Sequence, residues 1–189
     1  MRARTILVPV LLGTFVLASP GSSSAQEGEF TYVGERGCRR CHNKEETGAQ
    51  AAKWNEGPHS KAFEVLAGEK AAAVAAELGL GNPQEEAQCL SCHATAFAVM
   101  EDLENQRITL EEGVSCEGCH GPGSAYRERE TKEAIAAGEI DPASVGLLRP
   151  TEATCTKCHK AEGNPNFEGF DFDEYAAKIA HPNPEKAGG

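Results

Sequence analysis

Four segments of the chain share one pattern, in which two cysteines separated by two residues are followed at once by a histidine. Together they use all eight cysteines and four of the six histidines. On a helix, residues three positions apart share a face, so both thiols could bond the vinyl groups of one porphyrin while the histidine binds its iron. The pattern therefore predicts four covalently attached c-type haems. In chain order the motifs are Cys38/Cys41/His42, Cys89/Cys92/His93, Cys116/Cys119/His120 and Cys155/Cys158/His159.

Zinc sites and disulfides are the alternative uses of paired cysteines. Structural zinc is held by four thiolates, or by three thiolates and a histidine, and two such pairs could build one site. Disulfides would also use an even number of cysteines. Zinc accounts for the cysteines, but it does not require a histidine at the same offset in all four segments. The sequence therefore favours haem.

The remaining histidines limit how the four irons can be ligated. A haem iron usually has two axial ligands, and each motif histidine supplies one. Only His59 and His181 are left, so at most two haems can have two histidines from one chain. We predict that both serve as axial ligands. The other two haems then use another residue, a partner's residue or an open position, and Met100, Tyr126 and the lysines are weaker candidates.

The elements that must position these motifs are short helices joined by loops. Aromatic residues make up only 6% of the chain, so we expect a mostly α, compact multihaem fold whose apolar core is largely porphyrin. Unequal gaps between the motifs argue against a repeat solenoid. Strand signals are weak and confined to residues 107–110. Helices are predicted over residues 43–54, 58–66, 69–78, from 82 through the second motif, over 124–137 and 172–180, with further starts at Pro142 and Glu152.

The first 25 residues have the features of a secretory signal peptide. Two arginines precede an apolar stretch, and small residues precede Gln26. The apolar stretch is short for a membrane span, although an uncleaved anchor is the alternative. We therefore expect residues 1–25 to be a cleaved signal peptide and residues 26–189 to form one tetrahaem domain that is periplasmic or otherwise exported.

The net charge of −11 excludes some classes of partner. An acidic surface argues against binding nucleic acid or anionic membranes, and it favours a basic or neutral docking face on a redox partner. The same charge could simply keep the protein soluble. No other apolar run approaches the length of a membrane span, so the mature chain is expected to be soluble.

Several of these residues resemble the tetrahaem cytochrome c-554 family, over roughly residues 33–180. The first motif is followed by Trp54 and by the segment His59–Ser60–Lys61–Ala62, and Phe97 lies close to the second motif. The most specific match is Gly-Val-x-Cys-Glu-x-Cys-His-Gly-Pro-Gly at residues 113–123. The resemblance implies a soluble periplasmic electron carrier with closely stacked haem pairs.

The resemblance also implies a ligand set. The histidine that matches His59 serves the haem of the third motif, and a late histidine, matched by His181, serves that of the fourth. In the family the second haem is typically five-coordinate, so the resemblance implies an open position at the second motif. The first normally receives a histidine soon after the Gly-Pro-Gly, but residues 124–128 contain none here.

Three functions remain to be compared. Electron transfer between redox proteins leads, because it needs fixed haem geometry and tuned potentials but no array of acids or bases. The second is an enzyme that reduces a small nitrogen-oxide-type ligand at an open iron. The third is a haem subunit of a larger respiratory or polymeric assembly, in which a neighbour supplies missing ligands.

Overall fold

In the computed structural model, residues 30–181 are described. The predicted signal peptide lies outside this range, so it stays a prediction. Every residue of the four motifs lies inside it, as do His59 and His181.

The described residues fold into short helices, and none of them forms a strand. The mostly α prediction is therefore confirmed for residues 30–181. Many connections are single 3-10 turns, and the longest of these segments, Thr95–Asn105, is kinked at Val99 and Asp102. The α-helices are α1 Gly34–His42, α2 Gln50–Glu56, α3 Glu69–Glu77, α4 Ala87–His93, α5 Cys116–His120, α6 Arg129–Ala136, α7 Glu152–Cys155 and α8 Phe172–Ile179.

Helix starts that depend on a side-chain cap were predicted well. The Asp171 carboxylate accepts a hydrogen bond from the N–H of Glu174 and begins α8. The Asp141 carboxylate caps a 3-10 turn that begins at Pro142. The side chains of Thr151 and Thr154 form a reciprocal capping box ahead of α7.

Other helix predictions were too long. The predicted helix over residues 43–54 is a turn followed by α2, and the one over residues 58–66 is two 3-10 turns. The segment after Pro83 is a turn, and α4 begins only at Ala87. Residues 107–110 make one strand-like hydrogen bond, from the Arg107 N–H to the Tyr32 carbonyl. In these segments tertiary contacts around the motifs outweigh the helix propensity of the residues.

The loop before the third motif packs against the segments that carry Trp54 and His59. The Trp54 indole donates to the Val114 carbonyl over 2.8 Å, and the Val114 N–H donates to the His59 carbonyl over 2.9 Å. Gly113 has φ +62°, and a Cβ there would lie 2.6 Å from the His59 carbonyl oxygen. Glycine is therefore required where the backbone approaches His59 this closely.

The protein's own apolar core is small. Leu66, Leu90 and Ala94 form its buried centre, and Phe63 and Phe97 pack against them. This cluster lies between α4, which carries the second motif, and the segment that follows His59. A core of this size leaves much apolar surface to be covered by something other than protein.

Candidate haem sites

Three of the four motifs lie on a single helix each. The first ends α1, the second ends α4 and the third makes up the whole of α5. The fourth begins on α7 and continues as a turn, in which the His159 N–H still donates to the Cys155 carbonyl over 3.0 Å. In each motif the histidine therefore lies one turn from the first cysteine, as covalent haem attachment requires.

Cys41 is the one motif cysteine whose surroundings differ from those expected for a haem site. It is exposed, whereas the other seven cysteines are each partly buried. The physical reason is its place at the end of α1, where the last turn, residues 39–42, lies on the surface and the chain turns away after His42. The protein therefore does not enclose this thiol. A thioether needs no burial, so attachment of haem at Cys41 stays a prediction.

Two motif histidines face a second imidazole across a gap. The ring centres of His159 and His59 are 6.1 Å apart with 61° between the ring planes. Those of His120 and His181 are 6.0 Å apart with 73° between the planes. Imidazole nitrogens bind transition metals at about 2 Å, so two rings on opposite sides of one iron have centres roughly 6 Å apart. Both spacings fit an iron between the rings.

The facing rings do not follow the pairing that the family resemblance implies. His59 faces the fourth motif rather than the third, and His181 faces the third rather than the fourth. The tertiary structure accounts for the position of His59. The His59 carbonyl accepts a hydrogen bond from the Val114 N–H, and His59 precedes the segment that packs on the second motif. His181 follows the end of α8, and that position brings it to His120.

Hydrogen bonds orient two of the histidines for metal binding. The Nδ1 of His93 lies 2.7 Å from the Ala62 carbonyl, and the Nδ1 of His181 lies 2.9 Å from the Ile179 carbonyl. A carbonyl only accepts, so each Nδ1 carries the proton and each Nε2 keeps its lone pair. This is the tautomer that binds iron through Nε2.

Burial keeps three other histidines in the neutral form that metals bind. It lowers the pKa of His59, and the facing His159 lowers it further. Burial also lowers the pKa of His120, where His181 and His42 act in the same direction and a hydrogen bond with Leu148 opposes them. The pKa of His159 is lowered by burial as well. Neutral imidazole is the ligand form, so this environment favours iron binding.

The sulfur atoms arrange the four motifs in a row. Cys38, in the first motif, lies close to Cys116 in the third. The second sulfur of the third motif, that of Cys119, lies close enough to Cys155 of the fourth for the two to interact electrostatically. Cys158, also in the fourth motif, lies close to Cys92 in the second, and its thiol lies 4.0 Å from the Ser91 carbonyl oxygen. The spatial order is therefore first, third, fourth, second.

An open cleft of about 830 Å³ surrounds the second motif. Cys89, Cys92 and His93 line it together with apolar side chains that include Val65 and Leu78. Val65 is 54% exposed and Leu78 is 40% exposed, which is unusual for apolar residues that face a concave surface. A porphyrin bonded to the two cysteines would cover these side chains, so the residues fit the group.

An aromatic pair that the sequence did not reveal flanks the fourth motif. The ring of Phe170 stacks on His159 with centres 4.7 Å apart and 18° between the planes. Tyr175 packs on Phe170 at 5.2 Å. The pair fixes the orientation of the imidazole. No local signal in the sequence singles out these aromatic residues, because only the position of α8 brings them to the motif.

The two weaker ligand candidates are held differently. The Tyr126 hydroxyl donates to the Gly121 carbonyl over 2.8 Å. Burial raises the pKa of this phenol, and the negative charges of Cys38 and Glu117 raise it further. Tyrosine ligates iron as a phenolate, which this environment disfavours. Met100 is 42% exposed on the kinked 3-10 segment. Neither position supports a role as axial ligand.

Within residues 30–181, no disulfide joins the cysteines. In the same range, no group of three or more histidine, cysteine, aspartate or glutamate side chains is arranged to hold a single metal ion. Helical haem-attachment motifs, facing imidazoles and an apolar cleft together define a c-type cytochrome that transfers electrons.

The chain belongs to the cytochrome c-554 family. It is 32% identical over 188 residues to cytochrome c-554 of Nitrosomonas europaea, an alignment that covers 93% of this chain and 74% of that protein. The family profile described as cytochrome c554 and c-prime matches residues 37–121. A second profile, cytochrome c3, matches residues 82–166.

The fold is also that of a solved member of the family. The reduced state of cytochrome c554 from Nitrosomonas europaea superposes with a TM-score of 0.56, at 23% identity, covering 82% of this chain and 85% of that one. The relative and the profiles confirm the predicted family, and with it covalently bound haem c as the cofactor. In the described residues, no helix combines the length and apolarity needed to cross a membrane.

Proposed function

We propose that this protein is a soluble, exported electron carrier that binds four c-type haems and conducts electrons along the row of its four motifs, between redox proteins in the periplasm. The observation that carries the proposal is the spatial order of the sulfur atoms. Cys38 lies near Cys116, Cys119 lies near Cys155, and Cys158 lies near Cys92. Neighbouring motifs are therefore close enough for haem-to-haem contact.

When bound, each haem supplies an iron that changes between the ferric and ferrous states, and the chain supplies everything that places and tunes it. His42, His93, His120 and His159 are the proposed proximal ligands, and the motif cysteines, the exposed Cys41 included, are the proposed attachment points. His59 and His181 are the proposed second ligands of the fourth and third haems, in the pairs that the ring spacings define.

The two ends of the row lack a second histidine. All six histidines of the chain are used by the motifs and by the two facing rings. We therefore propose mixed ligation, with imidazole pairs at the third and fourth motifs and a different coordination at the first and second. Mixed ligation separates the potentials of the end haems from those of the interior haems.

Mass spectrometry and electron paramagnetic resonance test this proposal together. The intact mature protein should have the mass of the chain without residues 1–25 plus four haems. The oxidised protein should show two low-spin irons with imidazole pairs and two irons with different spectra. Fewer than four haems, or four equivalent low-spin signals, would contradict the proposal.

The cleft at the second motif favours one alternative function. It is accessible from outside, and no histidine is left to cover the iron side opposite His93. A small nitrogen-oxide-type ligand could therefore reach an iron held there. Rapid multiple-turnover consumption of such a ligand by the reduced protein would establish an enzyme, whereas slow binding without turnover would leave electron transfer as the function.

A further inference from the structure

Glu117 stands between the two cysteines of the third motif in the sequence, and it is almost fully buried. The residue is only 2% exposed. A buried carboxylate is costly unless its oxygens accept hydrogen bonds, so its partners show why it is retained. From the sequence alone, Glu117 has no role beyond its place in the Cys-Glu-x-Cys-His pattern.

Three backbone N–H groups converge on the Glu117 side chain. The Val33 N–H donates to both oxygens, at 2.9 and 3.1 Å. The Gly34 N–H donates to Oε2 over 2.9 Å, and the Gly123 N–H donates to Oε1 over 2.6 Å. Burial raises the pKa of this carboxyl, and the three N–H groups act against that rise. Donors on both oxygens suit the ionised carboxylate, because a protonated oxygen would meet an N–H rather than an acceptor.

These bonds join two different motifs. Val33 is the N-cap residue of α1 and Gly34 is its first residue; α1 carries the first motif, and the side chain of Val33 provides no cap. Gly123 ends the Gly-Pro-Gly that follows the third motif. A Cβ on Gly123 would lie 3.1 Å from Glu117 Oε1 and 3.0 Å from Val33 Cγ2, so the glycine leaves room for this connection. Glu117 therefore fastens the helix of the first motif to that of the third.

The charge of Glu117 also reaches the cysteines of both motifs. It contributes to the raised pKa of the Cys38 thiol, after the neighbouring Cys116 and burial. It opposes the lowering of the pKa of Cys116, which is caused mainly by the neighbouring Cys38. In the fourth motif the charges that act on Cys155 and Cys158 come from other groups. The field of this carboxylate is therefore concentrated on the first and third motifs.

We propose that Glu117 is a positioning residue that holds the first and third haem sites side by side and keeps a negative charge between them, lowering the reduction potentials of both haems. A buried anion stabilises the ferric state, which carries one more positive charge than the ferrous state. Arg127, whose charge acts on Glu117, is 32% exposed and pairs with Glu128, so it compensates this charge only in part. The proposal rests on haem at these two motifs, as proposed above.

The test is a redox titration of Glu117→Gln followed by electron paramagnetic resonance, with the haem count measured by mass spectrometry. Glutamine keeps an acceptor oxygen but loses the charge. We expect four haems, unchanged ligand signatures and raised potentials for two haems. One of these should belong to the imidazole pairs and the other should not. Unchanged potentials, or an equal rise in all four, would overturn the inference; a low haem count in the wild-type protein would instead overturn the proposed function.

Glu86→Gln is the matched control. Glu86 precedes α4 and accepts a hydrogen bond from the Gly81 N–H over 2.7 Å. Burial raises the pKa of Cys89 in the second motif, and the charge of Glu86 raises it further. Its neutralisation should leave the two haems that respond to Glu117→Gln unchanged. A rise in the same two potentials would show that the effect is not specific to Glu117.

Two further measurements apply if Glu117→Gln does not take up haem. Glu117→Asp keeps the charge on a shorter side chain, and we expect potentials close to those of the wild type. In the wild-type holoprotein, the amides of Val33, Gly34 and Gly123 should be among the slowest to exchange hydrogen. Fast exchange at these amides, or a rise in the potentials of Glu117→Asp equal to that expected for glutamine, would contradict the proposed role.

Discussion

The interior and the ends of the row of motifs differ in what faces their histidines. The third and fourth motifs, in the interior, each face a second imidazole at about the distance that one iron spans. The first and second motifs, at the ends, face none, since every histidine of the chain is already assigned. The two interior motifs are therefore alike in having a facing imidazole, and the two end motifs are alike in having none.

Burial follows this division only in part. Burial lowers the pKa of His120 and of His159, which belong to the interior motifs, whereas Cys41 and His42, at one end, are exposed. The open cleft at the other end is lined by the second motif, but Cys158 of the fourth motif lines it as well. The presence of a facing imidazole therefore depends on position in the row, because the motif pattern is the same at all four sites.

Removal of an interior haem should have the largest effect. In the double variant Cys116→Ala with Cys119→Ala, the row is interrupted next to its middle and the first motif loses its neighbour. We expect one haem fewer by mass spectrometry, a clear loss of thermal stability, and no transfer of electrons between the two ends. Cys89→Ala with Cys92→Ala removes an end haem and should leave the other three connected. Equal losses in the two double variants would show that position in the row does not matter.

Exchange of an interior ligand comes next. In His59→Met, the fourth haem should carry a thioether in place of an imidazole. Its reduction potential should rise by on the order of 0.1 V, within the roughly 0.8 V that axial ligands control. Electron paramagnetic resonance during a redox titration follows the change, and His181→Met should act in the same way on the third haem. If His59→Met altered the third haem instead, the pairing read from the ring spacings would be refuted.

A packing variant tests how tightly the interior is built. Gly118 lies between the cysteines of the third motif, and a Cβ there would lie 2.6 Å from Thr95 Oγ1. That hydroxyl accepts a hydrogen bond from the Ser115 N–H over 3.0 Å, so it cannot move freely. Gly118→Ala should lower the free energy of unfolding by about 1–3 kcal/mol, measured by thermal denaturation of the holoprotein. A wild-type melting temperature in this variant would show that the contact is loose.

The smallest effect is expected at the first motif. Tyr126→Phe removes the hydrogen bond to the Gly121 carbonyl and should cost about 1 kcal/mol of stability. Because the phenol is held as a donor, the spin state of the first haem should not change. Visible and electron paramagnetic resonance spectra of the oxidised variant provide the measurement. A new high-spin signal would identify Tyr126 as an axial ligand after all.

Local sequence patterns predicted those parts of the fold that depend on neighbouring residues. Asp171, Asp141 and Thr151 mark helix starts because a side-chain oxygen within a few residues satisfies the first N–H groups. The lengths of the helices near residues 43–66 were predicted poorly. These segments bend to place His59 against the fourth motif, and tertiary contacts outweigh helix propensity there.

The sequence by itself determined the chemistry of the chain. Four motifs fix the type of cofactor, and six histidines limit the number of imidazole pairs to two, because both follow from covalent pattern and counting alone. Only the tertiary structure decided the order of the motifs, the exposure of Cys41, the partners of His59 and His181, and the role of Glu117 as the link between two motifs. These depend on contacts between residues far apart in the chain, which no local pattern encodes.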